Sequence, residues 1–524
     1  MSLRLIGVAA LLICLTLYLP VLTLFALFWE LELLYLWTEL FKETEFGPAL
    51  TATLVSTLGS LVVALGLSYL LMGALVFTPA YQRFARQLPL LLAVPHLAFA
   101  VGLYLLLSPK GWLERLVAPM DIGIWVQDSY GLSLAVGLGI KESWFLCWMI
   151  WAQLQQSSLA DQFLIAQTQG YQRGQIVRQI LLPQLLPKLK WPLLAVAAYS
   201  LSSVEMAWVL GPTHPPTLAV LAWSWLLDPM AEQRDLGMGL TLLLMLLMLA
   251  LSLAIWQLPR LFSGAVPSGR RRIGRLRFGQ PVRRLLLALH LVLGLLILLW
   301  SFTHSWFYPA LLPGRWSLNA WQSLALEPLL TTLGLGLVSA LLAIALVLLV
   351  VETGIKQTGW ILLPLFLPVL PLVVGQYQIS LAVGMPPSWS AVLLAHLLWV
   401  LPYVYLVIKP AYLALPKEQL LTARTLGLSQ TELFMRLKLP LLLRPICAAF
   451  ALGFSVSLAQ YLPTIFIGAG RVETLTTEAL SRFAGGDRRL LGAQTMALLA
   501  VALLAYMLAQ RLPRIVYAKR GAMH

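Results

Sequence analysis

Few polar side chains interrupt the long apolar stretches of this sequence, and those few are the candidates for chemistry. Glu205 ends a Ser-x-Ser-x-x-Glu pattern inside one apolar run, and Gln460 ends a Ser-x-Ser-x-x-Gln pattern inside another. If these runs cross a bilayer, an ionisable side chain in them costs about 2.5 to 3.5 kcal/mol on insertion scales. Such residues therefore either line a polar path or hydrogen-bond neighbouring helices together, and both interpretations are open here. The candidates for a path are Ser202, Glu205, Ser457 and Gln460.

Another pair of charged residues, Lys141 and Glu142, lies in the middle of an apolar run. Neighbours on a helix point about 100° apart, so we expect the two side chains to find different partners. They could contact a transported solute or belong to buried structural contacts. They could also lie outside the membrane, if the span is shorter than the apolar run. His96 and His396 are isolated, which favours a hydrogen bond to a neighbouring helix over a metal or proton site.

The sequence contains no recognisable catalytic or metal-binding constellation. Its three cysteines, Cys14, Cys147 and Cys447, lie in apolar runs without paired spacing, so neither a disulfide framework nor a metal site is predicted. No nucleophile motif and no cluster of His and Asp indicates a membrane enzyme. The chain also lacks the G-x-x-x-x-G-K-[ST] loop that cradles ATP phosphates, so we expect no cofactor in the chain itself and an energy source outside it.

The composition indicates whether these residues lie in a soluble protein or in a membrane. Of the 524 residues, 60% are hydrophobic and 11% are charged, against a usual charged share of about 25%. Such a chain cannot cover a soluble globule with polar groups, whereas a membrane span needs only about 20 apolar residues. We predict two sets of six spans. They are 5–29, 48–76, 88–108, 131–152, 189–211 and 236–257, then 284–306, 327–351, 358–383, 388–410, 446–468 and 490–510.

The charge between the two sets of spans indicates the orientation of the chain. We predict a first transmembrane domain at 1–258, a basic linker at 259–283 and a second transmembrane domain at 284–524. Residues 260–284 include eight arginines and no acidic residue, which places them in the cytoplasm by the positive-inside rule. An even number of spans then puts both termini in the cytoplasm. Few aromatic residues, such as Phe278, lie among these arginines, so the segment is expected to be a solvated linker and not a nucleic-acid site.

A polar interruption recurs between the fourth and fifth spans of each set. Ala, Thr, Gly, Leu and Pro recur in it at one offset of 257 residues, from Ala166 to Pro183 in the first copy and from Ala423 to Pro440 in the second. Two copies at one spacing are a far stronger signal than either alone. The chain is therefore predicted to be a fused duplication.

The residue types within the interruption predict its local structure. Ser158-x-x-Asp161 and Ser429-x-x-Glu432 have the pattern of helix caps, and Pro416 suits a first helical position. Gly170 and Gly427 can adopt the left-handed turn that ends a helix. We expect that a second short helix follows and that Pro183 or Pro440 ends it. Each copy would then form a compact helix-turn-helix that projects into the cytoplasm.

These residues resemble the cytoplasmic loop of the permease subunits of binding-protein-dependent ABC importers, with its pattern E-A-A-x-x-x-G followed by I-x-L-P. The matching residues are Ala166, Gly170, Ile180, Leu182 and Pro183 in the first copy, and Ala423, Gly427, Leu439 and Pro440 in the second. The sequence departs from the pattern at its Glu (Leu164 and Leu421), at its first Ala (Ile165 and Thr422) and, in the second copy, at its Ile (Leu437). The motif is degenerate, but the order of helix, turn and helix is retained.

The resemblance covers nearly the whole chain and implies a function. It implies an all-α polytopic membrane protein of about twelve transmembrane helices in two homologous six-helix halves, similar to the fused permeases of iron(III) and thiamine importers in the bacterial inner membrane. In that family the loop couples the permease to an ATP-hydrolysing subunit. The implied partners are two ATP-binding cassette subunits that bind ATP-Mg and an extracytoplasmic binding protein that delivers a small solute. The alternative is an ion-coupled secondary transporter with two six-helix repeats, which has no use for two docking loops.

Overall fold

The computed structural model describes residues 3–23, 33–117, 126–155, 159–263, 279–355 and 357–521. The regular structure of this part of the chain is helical apart from one two-stranded antiparallel hairpin. The first helices are α1 (Leu3–Leu17), α2 (Leu33–Lys42), α3 (Phe46–Leu75), α4 (Pro79–Ala93), α5 (His96–Leu107), α6 (Trp112–Val117), α7 (Leu132–Gln155), α8 (Leu159–Thr168), α9 (Arg173–Ile176), α10 (Leu182–Ser202), α11 (Val204–Leu210), α12 (Leu218–Leu226) and α13 (Ala231–Ser263). A π-helical turn, Val177–Leu181, joins α9 to α10.

The remaining elements follow residue 278. They are α14 (Gly279–Ser301), β1 (Thr303–Ser305), β2 (Arg315–Trp316), α15 (Asn319–Gln322), α16 (Leu326–Glu352), a 3₁₀ helix (Gly359–Phe366), α17 (Val369–Ala382), α18 (Trp389–Leu413), α19 (Lys417–Thr425), α20 (Gln430–Glu432), a second π-helical turn (Leu433–Lys438), α21 (Leu439–Leu441), α22 (Leu443–Leu458), α23 (Leu462–Gly468), α24 (Leu475–Ala484) and α25 (Arg488–Gly521). Thr303 of the hairpin pairs with Trp316, and Ser305 pairs with Arg315.

Nine helices of the described part are long and apolar enough to cross a membrane, and the number rises to twelve if each of three bent pairs forms one span. The all-helical membrane fold predicted from the composition is thereby confirmed. The predicted spans 48–76, 327–351 and 388–410 coincide closely with α3, α16 and α18.

Two predictions fall partly outside the described residues. Of the predicted span 5–29, the structure includes the apolar segment Ile6–Thr23, and residues 24–29 lie outside its description. Of the basic linker, residues 264–278 likewise lie outside it. The flanking helices extend into the predicted linker from both sides, since α13 ends at Ser263 and α14 begins at Gly279.

The predicted spans 88–108 and 358–383 each coincide with a bent pair of helices and not with one straight helix. Helices α4 and α5 meet at 89°, and the 3₁₀ helix Gly359–Phe366 meets α17 at 112°. Both bends coincide with a proline, Pro95 or Pro368, that directly precedes the second helix. A proline disfavours the α conformation for the residue before it and supplies no N–H, so both features favour a break in the helix at this point.

Two further predicted spans are each interrupted by a break between two helices. Ser203 has the extended backbone angles φ −69° and ψ 113° and separates α10 from α11 within the predicted span 189–211. Residues 459–461 separate α22 from α23 within the predicted span 446–468. The patterns that predicted Glu205 and Gln460 thus lie at breaks between helices, where side chains and backbone of two short segments converge.

The chain has one part before the linker and one part after it. The first apolar helical segment of each part packs against the other part. Gly375 in α17 approaches the first apolar segment so closely that a Cβ would lie 2.5 Å from the carbonyl oxygen of Pro20. Reciprocally, a Cβ on Gly102 in α5 would lie 2.7 Å from Cβ of Leu293 in α14. The Tyr18 hydroxyl also donates to the Ile361 carbonyl at 2.5 Å. This exchange ties the two parts into one bundle.

Candidate functional site

A cavity of about 190 Å³ lies between the two parts of the chain. Its first wall comes from the α4–α5 bend and from α7, α10 and α11. Its second wall comes from the 3₁₀ helix, α17, α18, α22 and the break before α23. The path candidates Lys141, Glu142, Glu205 and Gln460 line this cavity. Residues that are up to 319 positions apart in the sequence thus face one internal space.

Lys141 and Glu142 have different partners, as their helical spacing predicts. The Lys141 ammonium donates to the carbonyls of Leu91 at 3.0 Å and Leu92 at 3.4 Å. These carbonyls belong to the last turn of α4, where the helix dipole favours a cation. The Glu142 carboxylate instead lies 2.9 Å from Nε2 of His96 across the helix interface. Both residues of the pair are buried in α7.

Glu205 extends the polar surface that Glu142 begins. The Tyr199 hydroxyl donates to the Glu205 carboxylate at 2.8 Å. The Tyr199 ring also packs on the His96 ring, with 4.5 Å between the ring centroids. The first wall therefore presents a continuous polar strip of two carboxylates, one in contact with the His96 imidazole and the other with the Tyr199 hydroxyl.

The second wall is aromatic and carries no charged side chain among the described residues that line the cavity. It includes Trp399, Tyr403 and Tyr461. The Gln460 amide donates to the Val456 carbonyl near the end of α22 at 3.3 Å. In the part of the chain that the structure describes, the buried indole N–H of Trp399 has no hydrogen-bond partner. Aromatic rings opposite carboxylates are an arrangement suited to a cation.

Ser202 and Ser457 lie outside the cavity lining and hydrogen-bond helices together. The Ser202 hydroxyl donates to the Ala198 carbonyl and accepts the N–H of Val369, each at 2.7 Å. It thereby anchors the start of α17 to the end of α10. Ser457 contacts Nδ1 of His396 at 2.8 Å.

The first polar interruption forms a helix, a left-handed turn and a second helix. Gly170 has φ +82°, and no described atom lies within 4 Å of the place where its Cβ would be. Glycine is therefore required by the backbone conformation and not by lack of space. Ala166 is buried, Ile180 is half-buried in the π-helical turn, and Ser158 of the predicted cap lies outside the described residues.

The second interruption repeats this geometry with more exposure. Gly427 has φ +87° and again has no described atom near its missing Cβ. The predicted cap is present, because Ser429 accepts the N–H of Glu432 while the Glu432 carboxylate accepts the N–H of Ser429. Pro416 directly precedes α19, whose side chains are all at least partly exposed, Ala423 included.

The prediction that Pro183 and Pro440 end the second short helix is wrong. Pro183 lies in the first turn of α10, and the segment Arg173–Ser202 runs as one helical span. In the second copy the chain bends by 72° only after Leu441, beyond Pro440. A π-helical turn precedes each proline, and its altered hydrogen-bond pattern accommodates the missing N–H.

Several contacts of these loops were not predicted from the sequence. Arg173 donates from Nε to the Gly73 carbonyl at 2.9 Å, at the end of α3. Lys438, in the second π-helical turn, pairs with Glu352 at the end of α16. The signal in the sequence was a charged residue within or beside an apolar run. It could not identify the partners, which lie 100 positions away for Arg173 and 86 positions away for Lys438.

The fold and the two loops define a class of protein, the membrane-spanning subunits of ATP-driven importers. A family profile described as "Binding-protein-dependent transport system inner membrane component" matches residues 358–515. The inner membrane ABC transporter permease protein YnjC of Escherichia coli (strain K12) is 38% identical over 493 residues, which cover 93% of this chain and 92% of YnjC. The chain therefore belongs to the ABC transporter inner-membrane permease family.

A second relative matches a shorter region. The spermidine/putrescine transport system permease protein PotC of Haemophilus influenzae is 24% identical over 157 residues, which cover 30% of this chain and 61% of PotC. Family membership makes this chain a multi-pass inner-membrane permease subunit of a binding-protein-dependent transporter, with ATP hydrolysis in a separate subunit. The family carries no cofactor of its own. The alternative of an ion-coupled secondary transporter is thereby excluded.

Proposed function

We propose that this permease supplies both halves of the transporter's membrane path in one chain and binds two ATP-binding cassette subunits on its two helix-turn-helix loops. The observation that carries the proposal is the cavity between the two parts, which Lys141, Glu142, Glu205 and Gln460 line together. The path would pass through this cavity. The lipid bilayer surrounds the bundle, and no nucleic acid is involved.

Three features of the structure support a duplication into two homologous halves. The helix-turn-helix loops have left-handed glycines 257 positions apart. Each half has a bent pair that turns at a proline, Pro95 or Pro368, with a glycine seven positions later, Gly102 or Gly375. Each of these glycines receives the first membrane helix of the other half. Such a pseudo-symmetric exchange follows naturally if the chain is a fused dimer.

The exposed side chains of the loops support their role as docking elements. Leu164 and Ile165 of α8 are each 58% exposed, and Leu421 and Leu426 of the second loop are 60% and 76% exposed. Exposed apolar side chains beside polar ones are typical of a surface that another protein covers. These loops would lie in the cytoplasm with both termini and the arginine-rich linker.

The cavity also supports a class of solute. The two carboxylates of the first wall face aromatic rings of the second, and the Lys141 ammonium is engaged by carbonyls of α4. We therefore propose a small organic cation delivered by an extracytoplasmic binding protein. The relative PotC is named as a spermidine/putrescine permease, and the resemblance to thiamine importers adds another organic cation, so polyamines and thiamine are both candidates.

Cysteine accessibility tests the path. In a background without the three native cysteines, Glu205→Cys and Gln460→Cys should react with a small methanethiosulfonate reagent, and vanadate trapping of the ATPase should change the rates. Ser457→Cys is the matched control, because Ser457 lies outside the cavity lining, and it should stay unreactive. If Cys at 205 and 460 is inaccessible in every nucleotide state, the cavity is not the path.

The solute class has its own test. The native binding protein, purified without denaturation and then unfolded, should release a cationic compound that mass spectrometry can identify. An anionic or neutral solute would contradict the proposed class without affecting the path. Native mass spectrometry of the complex tests the docking stoichiometry separately. We expect two ATPase subunits per chain.

A further inference from the structure

A buried ion pair connects the second helix-turn-helix loop to two membrane helices. The ammonium of Lys438, the last residue of the π-helical turn, lies 2.7 Å and 2.8 Å from the two carboxylate oxygens of Glu352, the last residue of α16. It also donates to the Tyr412 hydroxyl near the end of α18 at 2.6 Å. The Tyr412 hydroxyl in turn donates to the Glu352 carboxylate. We call these three residues the ionic lock.

The ionic lock is shielded from water. The side chains of Lys438 and Glu352 are 7% and 2% exposed. A buried pair of this kind contributes little net stability compared with apolar residues of similar volume, because both charges lose their hydration. Its geometry is nevertheless specific, since every polar atom has a defined partner on another element. The lock therefore fixes the position of the loop more than it stabilises the fold.

The first loop reaches the corresponding helix end in a different way. Arg173 donates to the Gly73 carbonyl at 2.9 Å and also to the Val76 carbonyl, both at the end of α3. Its guanidinium lies over the Phe163 ring of α8, 5.3 Å from the ring centroid. A cation from the loop thus docks on a helix C-terminus in both halves, but backbone carbonyls receive it in the first half and a carboxylate in the second.

The continuity of the helices explains why the second loop needs a lateral connection. In the first half the loop continues as one helical span, Arg173–Ser202, to the cavity. In the second half the segment Gln430–Leu441 meets α22 at a bend of 72°. A displacement of the second loop is therefore not carried straight along its own helix. The lock joins the loop to α18, which also carries Trp399 and Tyr403 of the cavity wall.

We propose that the Lys438–Glu352–Tyr412 lock transmits the movement of the second loop to α16 and α18, and so lets the nucleotide state of the docked ATPase change the cavity. The three residues are positioning residues of the transport cycle. The proposal rests on the proposed docking function of the loops. It concerns the step after docking, so the two can fail separately.

The test follows cavity accessibility in the complete complex of permease and ATPase, without added solute. The reporter is Leu406→Cys in the cysteine-free background, because Leu406 lies on α18 and lines the cavity. The probe is a small methanethiosulfonate reagent, applied with and without ATP, Mg²⁺ and vanadate. With the lock intact, trapping should change the labelling rate about tenfold.

The decisive variant replaces both charges, Glu352→Gln with Lys438→Met, so that no unpaired charge stays buried if a single substitution prevents folding. This variant should still bind and activate the ATPase, while trapping should change the labelling rate less than about twofold. The charge exchange, Glu352→Lys with Lys438→Glu, should recover most of the response. The matched control is Arg482→Met, which removes an ion pair with Glu478 in α24, outside both loops, and should leave the response intact.

The outcomes separate the two proposals. A full nucleotide response in the double variant would overturn the lock and leave it a structural contact. Failure of the charge exchange to recover the response, in a complex that still binds the ATPase, would also overturn it. Loss of response in Arg482→Met as well would show that the effect is not specific to the lock, and would overturn the proposal. If substitutions in both loops leave ATPase binding unchanged, the proposed docking function fails instead.

Discussion

The two loop glycines allow a quantitative prediction about docking. Gly170 and Gly427 have φ values of +82° and +87°, and no described atom lies within 4 Å of either missing Cβ. A new side chain at these positions therefore meets open space, and any effect must come from the backbone conformation. Valine, branched at Cβ, is among the residues least tolerant of positive φ. Asparagine adopts this conformation more readily.

The expected magnitude follows from the cost of that conformation. An L-residue in the left-handed region costs about 1 to 2 kcal/mol, which corresponds to roughly a 5- to 30-fold change in an equilibrium constant. If the two short helices bind the ATPase only when the left-handed turn is formed, the apparent affinity falls in proportion to the fraction of molecules that have this turn. We therefore expect Gly427→Val to weaken ATPase binding by roughly 5- to 30-fold and Gly427→Asn to weaken it clearly less.

The assay is the Kd of the purified ATPase for the detergent-solubilised permease, measured by biolayer interferometry on variants at 170, at 427 and at both. The matched control is Gly294→Val in α14, because that glycine also has open space around it but does not have a positive φ. It should bind like the unaltered chain. Equal affinity for the Val, Asn and unaltered chains would refute the reasoning, as would an equal loss in the α14 control.

Three further predictions concern single side chains. Glu205→Gln should assemble normally, since its amide oxygen can accept the Tyr199 hydrogen bond. Because the charge is lost, the ATP hydrolysis stimulated by the binding protein should fall severalfold. Unchanged stimulation would show that the carboxylate does not act in the path. Ser202→Ala should lower stability by about 1 to 3 kcal/mol because the Val369 N–H loses its acceptor, and an unchanged thermal midpoint in detergent would contradict this. Arg115→Met should make the β1–β2 loop more sensitive to protease, since Arg115 donates to two of its carbonyls; an identical digestion rate would show that other contacts hold the loop.

Local patterns in the sequence determined the membrane fold and the chemistry of the loops. Apolar runs predicted most of the spans because burial in lipid depends on composition over about 20 residues. The Ser429-x-x-Glu432 cap and the positive φ at Gly170 and Gly427 follow from interactions within four residues of the chain. Family membership, signalled by the degenerate loop motif, was reached from the same local information.

The shape of the spans depends on both the sequence and the tertiary structure. Pro95 and Pro368 were visible in the sequence, and a proline explains why a helix stops there. Bends of 89° and 112°, however, depend on what the second helix packs against. The prolines at 183 and 440 show the converse, because a preceding π-helical turn lets the chain continue past them.

Contacts between distant residues were decided only by tertiary structure. Glu205 and Gln460 could be selected as polar residues in apolar runs, but their presence around one cavity depends on how the two parts pack. Ser202 and Ser457 have the same local pattern and face other helices instead. The partner of Lys438 lies 86 residues away at the end of α16. Helix formation is short-range and readable from spacing, whereas the pairing of buried charges is set by which helix ends the bundle brings together.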